Sequence, residues 1–248
     1  MSRGGSISAD GAKRLKKHRR GRRECNVNRM SITYLIVALG LAVCGSPAFA
    51  HQPRIVEPGT TRVRVTQPEV SKAYYGTLDG GSQVFEVRSE KRFILYANVL
   101  VPKVPGIRKD VSAEIRNGKC QLIRRLDAAH SHWTVFHEPF GGDDYYQGPE
   151  FRRRVPAGAY GITVSSPDQR SKYVLAIGEK EEFPPREIAR TLMVLPRLKA
   201  DFFGKSRLSV LWSYAGAFLA FIVLVMVGVI YLLVKPLRRW RHTAGRQG

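Results

Sequence analysis

Four histidines and one acidic, aromatic stretch are where this chain could do chemistry. The histidines are His51, His130, His132 and His137. A cut after Ala50 would make His51 the first residue of a mature chain. A free α-amino group and its own imidazole can then chelate copper, with a further histidine completing the set, because imidazole nitrogen suits that metal. His130 and His132 are two residues apart and in a strand would share a face. The competing reading makes all four surface or satisfied core residues. The second candidate is His137 to Glu150, HEPFGGDDYYQGPE. Gly141-Gly142 lets the backbone turn tightly. Glu138, Asp143, Asp144 and Glu150 offer the hard oxygens that calcium takes, though not at EF-hand spacing. Trp133, Tyr145 and Tyr146 could present flat faces to a sugar or peptide. The favoured reading of this stretch is a packed structural loop whose tyrosines cover the core. Arg124-Arg125 and Arg152-Arg153-Arg154 suit an anionic glycan, lipid headgroup or acidic partner, or simply a solvated face. No GxSxG, HExxH or P-loop pattern occurs, so a non-catalytic role is expected.

The elements that must position these residues read as strands. Thr61–Thr66, Gln83–Arg88 and His132–Phe136 alternate apolar and polar side chains, the period of a half-buried strand. Phe93–Val101, Val111–Arg116, Lys119–Ile123, Phe151–Val155, Ala159–Ser165 and Tyr173–Ile177 complete the set. Asn117-Gly118 between two of them is a strong hairpin signal. Residues 51–183 are therefore expected to form a mainly β domain, an antiparallel β-sandwich or jelly roll. Cys120 is expected as a small buried or half-buried strand residue, with an intermolecular bridge or a reactive thiol as the alternative. As the lone cysteine of this region it has no internal disulfide partner.

Within this region the order Gly76-x-Leu78-x-x-Gly81, Phe85-x-Val87, Phe93-x-Leu95, Gly158-x-Tyr160-x-Ile162-x-Val164 and Tyr173-x-Leu175 resembles the pre-peptidase C-terminal domain. That domain is a jelly-roll module appended to secreted proteases. The resemblance covers roughly residues 70–178. It implies a β-sandwich and a binding or accessory role. The whole layout is similar to a group of uncharacterised membrane-anchored bacterial proteins. No protease domain accompanies the module in these residues, which departs from the protease-linked pattern.

Outside the sandwich the chain reads as membrane topology. Residues 1–50 carry a basic region, the apolar run Ile32–Val43 and a small-residue end at Ala48-Phe49-Ala50, the pattern of a secretory signal. Translation from Met30 is an alternative start. Residues 184–207 place Ile188, Leu192, Leu195 and Phe202 at three- and four-residue steps, which predicts an amphipathic stalk helix broken near Pro196, with Arg186, Arg190, Arg197 and Lys199 off its apolar face. Residues 208–234 carry no charge and are long enough to cross a bilayer. Trp212, Tyr214 and Tyr231 mark its ends. The basic tail 235–248 follows, expected to be too short to fold and to stay inside by the positive-inside rule. The net charge of +21 is concentrated at the ends: residues 1–30 hold ten basic and two acidic side chains, and the tail holds five basic ones. Topology thus accounts for most of the charge, and nucleic acid is not an expected partner. Lipid is, with a membrane protein or glycan beside it. The expectation is a single-pass inner-membrane protein whose main domain is extracytoplasmic, a binding or accessory module. The rivals are a copper protein using His51 and a structural subunit of a membrane complex.

Overall fold

The alternating runs close into two stacked sheets. The computed structural model describes residues 51–244, so the leader and its cut after Ala50 lie outside the described residues. The strands are β1 (Gln52–Ile55), β2 (Arg62–Val65), β3 (Lys72–Thr77), β4 (Gln83–Ser89), β5 (Phe93–Pro102), β6 (Ser112–Asn117), β7 (Leu122–Leu126), β8 (Thr134–Glu138), β9 (Asp143–Val155), β10 (Gly158–Ser165) and β11 (Lys172–Ile177). One sheet has the order β1-β3-β11-β5-β9-β8 and the other β2-β4-β10-β6-β7. The domain is a β-sandwich, mainly but not wholly antiparallel. β1 runs parallel to β3 and β2 parallel to β4. The chain alternates between sheets over its first four strands, so these neighbours are joined by crossovers rather than hairpins, and crossovers permit parallel pairing.

The inner faces supply the core. Phe85, Leu95, Ile115, Ile162, Tyr173 and Leu175 are buried there. Phe85 meets Tyr74 and Tyr173 edge to face, and Phe93 meets Tyr160 likewise. Such ring pairs add to the area they bury.

The outer face of the six-stranded sheet is covered too. Helix α1 (Pro185–Arg197) and a π-helical turn Leu198–Phe202 lie across it, and a 3-10 turn Arg207–Trp212 packs against α1 through Val210. Ala73, Tyr75, Leu100, Tyr145, Val174 and Ala176 pack against Leu198, Phe202 and Phe203 in a second apolar cluster. β3 and β11 are thus sandwiched on both faces. Pro196 lies inside α1 without ending it, and the helix passes into the π turn at Leu198.

Helix α2 (Tyr214–Ala244) follows. It starts later than the apolar stretch does, because Ser213 is extended (φ −115, ψ 173) and Val210 is buried against the sandwich unit. Phe140 O accepts from the Ala215 amide at 3.0 Å. The backbone stays helical from 235 to 244, where the sequence suggested a tail too short to fold. The sandwich and its covering segment, up to Ala217, form one compact unit, and α2 from Phe218 belongs to another. Tyr214–Tyr231 has a mean hydropathy of 2.4, long and apolar enough to cross a membrane.

Candidate functional site

Strand alternation decides where the expected site residues go. The stretch from His137 to Glu150 is no loop. It is the end of β8, a four-residue turn and the first half of β9. Asp143 pairs with Glu138 and Tyr145 with Phe136, facing the covered outer side. Asp144 pairs with His137, and Tyr146 packs toward the inner core. The acidic and aromatic groups are therefore split between two faces, which removes the single recognition surface that the sequence suggested. Tyr145 is buried, its hydroxyl 2.9 Å from that of Tyr75 and its ring edge-on to Phe203. Burial raises the phenol pKa of both tyrosines. Tyr146 lies under the Lys109 ammonium at 4.8 Å. Trp133 covers Gly148, where a Cβ would come within 2.5 Å of the indole ring, and its Nε1 donates to Ala128 O at 3.2 Å. The bulge at Gly148-Pro149 is held by the buried Asn98 amide, which donates to both carbonyls at 3.3 Å.

The acidic groups each have another partner. Asp143 accepts from Lys199 Nζ at 2.7 Å and from Lys205 Nζ at 2.8 Å. Lys199 also donates to Gly141 O at 2.5 Å. Glu138 accepts from the Phe140 and Gly141 amides at 2.8 and 2.7 Å. Burial pushes its carboxyl pKa up, against those two bonds. Glu150 accepts from the Tyr96 hydroxyl at 3.2 Å. The histidines are likewise dispersed. His130 Nδ1 is 2.9 Å from Asp127 and His137 Nδ1 is 2.8 Å from Asp144. His132 is exposed just before β8, and neither it nor His130 lies in a strand. Among the described residues, no three His, Cys, Asp or Glu side chains are grouped to hold a metal.

His51 is hydrogen-bonded to Ser71, and burial lowers its pKa to about 4. The unfolded chain binds a proton at this site near 6.5, whereas the folded chain resists it down to about 4. Stability is therefore expected to fall as pH drops through that window and to be fully present above it. The contribution is up to about 3 kcal/mol. His51→Asn should remove this pH dependence, so that the difference between wild-type and variant urea midpoints changes across the window, and parallel curves would show that His51 plays no part.

A cavity that no motif announced lies beside β1 and the start of α1. It has a volume of about 380 Å³ and is lined by Gln52, Arg54, Thr66, Gln67, Lys72, Glu182, Pro184, Arg186, Glu187 and Arg190. Lys72 is 2% exposed and donates to Thr66 O and Gln67 O at 2.8 and 3.0 Å. Burial, and then the Arg54 charge, lower its pKa to about 8. Arg54 is held between Gln52 Oε1 and Glu187 Oε2, both at 2.8 Å. Arg190 stands 4.0 Å from Glu187.

One signal for buried polar chemistry was present in the sequence. Glu187, Thr191, Leu195 and Lys199 recur every four residues and form the buried stripe of the C-terminal segment. Lys199 therefore lies under the segment rather than off its apolar face. The cavity had no comparable signal, because its residues come from three separated segments.

No family model matches the chain, and no curated protein matches it. Among solved structures, the pre-peptidase C-terminal domain of collagenase from Bacillus anthracis is similar. It is 10% identical, with the alignment covering 50% of this chain and 98% of that one, at a TM-score of 0.30. It is the same module that the strand pattern resembles.

Proposed function

We propose that this protein is a membrane-anchored, extracytoplasmic binding module, its β-sandwich carried outside the cytosol by a single span. The observation that carries the reading is the surface of α2. Val223, Leu224, Met226 and Val227 are 57%, 55%, 58% and 59% exposed along one uninterrupted helix. Water does not tolerate so long an apolar surface, and a bilayer core roughly 30 Å thick does. The basic, apolar and small-residue order of residues 1–50 supports export, and the basic residues after the span support an inside tail. The charged cavity supports binding.

Cys120 supplies the test. It is exposed in the β6–β7 turn, at φ +61, rather than buried or half-buried in a strand. With Cys25→Ser and Cys44→Ser it is the sole thiol of the chain. A membrane-impermeant maleimide is expected to label it in intact spheroplasts, with the protein remaining in the carbonate-washed membrane pellet. Labelling only after lysis would place the sandwich in the cytosol and end the proposal.

A further inference from the structure

The cavity between β1 and the start of α1 carries a more specific reading, one that rests on the binding-module proposal. Four cationic side chains, Arg54, Lys72, Arg186 and Arg190, face two carboxylates, Glu182 and Glu187. Two positive charges stay unbalanced in a recess whose walls are almost wholly polar. The two carboxylates are not spread evenly over the cations. Glu187 is committed to Arg54 at 2.8 Å, and it reaches Arg190 only at 4.0 Å. Glu182 bonds Lys180, outside the recess, at 2.6 Å. Lys72 donates to neutral carbonyls. Arg186 has no ion pair among the described residues.

We infer that this cavity binds a phosphate group carried by a small polar molecule. The Arg186 and Arg190 guanidinium groups offer forked donors that match phosphate oxygens, while Arg54 and Lys72, already hydrogen-bonded, add positive charge at the buried side. Bare phosphate would leave much of the roughly 380 Å³ unfilled, so the volume suits a phosphoester with a polar substituent. Gln67, which is exposed at the rim, can meet that substituent. A bound anion would also relieve the repulsion between Arg54 and Lys72 that, after burial, lowers the lysine pKa. A free metabolite and a phospholipid headgroup share this chemistry.

The test uses the full chain in neutral detergent, titrated with inorganic phosphate in a calorimeter and in thermal unfolding, against chloride at matched ionic strength. Phosphate is expected to bind and to raise the melting temperature. Arg186→Ala with Arg190→Ala should weaken binding at least tenfold. Both arginines are exposed, so the variant's unliganded melting temperature should stay within about a degree of wild type. Absence of binding beyond the chloride control, or unchanged affinity in the variant, overturns the inference. A second arm repeats the titration in nanodiscs of phosphatidylcholine alone or doped with phosphatidylglycerol. Weaker apparent phosphate affinity in the doped discs assigns the site to a lipid headgroup, and equal affinity assigns it to a free phosphoester. Neither arm depends on topology, so failure here leaves the thiol-labelling result standing.

Discussion

Asp143→Ala is expected to cost about 3–5 kcal/mol of stability, the range for leaving a buried charge without its partner. The Asp143 and Lys199 side chains are 3% and 2% exposed. Removing the carboxylate strands the Lys199 ammonium with only the Gly141 carbonyl. The pair fixes the β8–β9 turn to the segment leading into α2, so the loss should show first as exposure of the cluster around Tyr75, Tyr145 and Phe202. Asp143→Ala with Lys199→Met tests the cause. If the stranded charge is the cost, the double variant should recover much of the loss, because an apolar group of similar length can fill the space. Lys205 is 45% exposed, so Lys205→Ala should cost no more than about 1 kcal/mol. Urea unfolding of the full chain in detergent, followed by far-UV circular dichroism, measures all of these. A loss for Asp143→Ala no larger than that for Lys205→Ala would show that the buried pair does not hold the segment.

The sandwich was legible in the sequence wherever a strand has one wet face. β4 and β10 alternate buried and half-buried or exposed positions, and the pattern can be read directly. β3 could not be read that way. Its first five residues are all buried, because the core lies on one face and the C-terminal segment on the other, and burial on both faces erases alternation. The first half of β9 was hidden for a related reason. Asp143 and Tyr145 look like solvent-facing residues until Lys199, 56 positions away, is seen to cover them. The β6–β7 hairpin was signalled by Asn117-Gly118, but β7 starts at Leu122 rather than Lys119. The Asn117 side chain accepts from the Lys119 and Gln121 amides at 3.0 Å each, and this holds a longer turn with Cys120 left-handed at its tip. The long apolar helix was readable because it depends on composition alone. The phosphate cavity was not. Arg54, Lys72 and Arg190 have no sequence spacing that brings them together, and only the pairing of β1 with β3 and the docking of α1 do so.

Gly178→Ala carries the second large effect, about 2–4 kcal/mol of destabilisation. Gly178 has φ +82, and a Cβ there would lie 2.5 Å from Val70 O and 2.8 Å from the Glu69 carbonyl carbon. Those atoms have little room to move. Glu69 O accepts from the Glu179 and Lys180 amides at 3.0 and 2.8 Å, and Lys180 O accepts from the Ser71 amide at 2.9 Å. Val70 itself is buried. Gly59→Ala separates the two causes of the cost. Gly59 has nearly the same backbone angle, φ +77, but nothing stands within 4 Å of its missing Cβ. That variant should lose only the left-handed penalty, about 1 kcal/mol. The Gly178 variant should exceed it by the cost of displacing the 69–71 backbone. The same displacement reaches the cavity, because Lys72 takes its place from the carbonyls of residues 66, 67 and 70. Phosphate affinity should therefore fall in Gly178→Ala and stay at the wild-type value in Gly59→Ala. Equal losses of stability in the two variants would mean that the strap between residues 69–71 and 178–180 yields freely and does not set the position of Lys72.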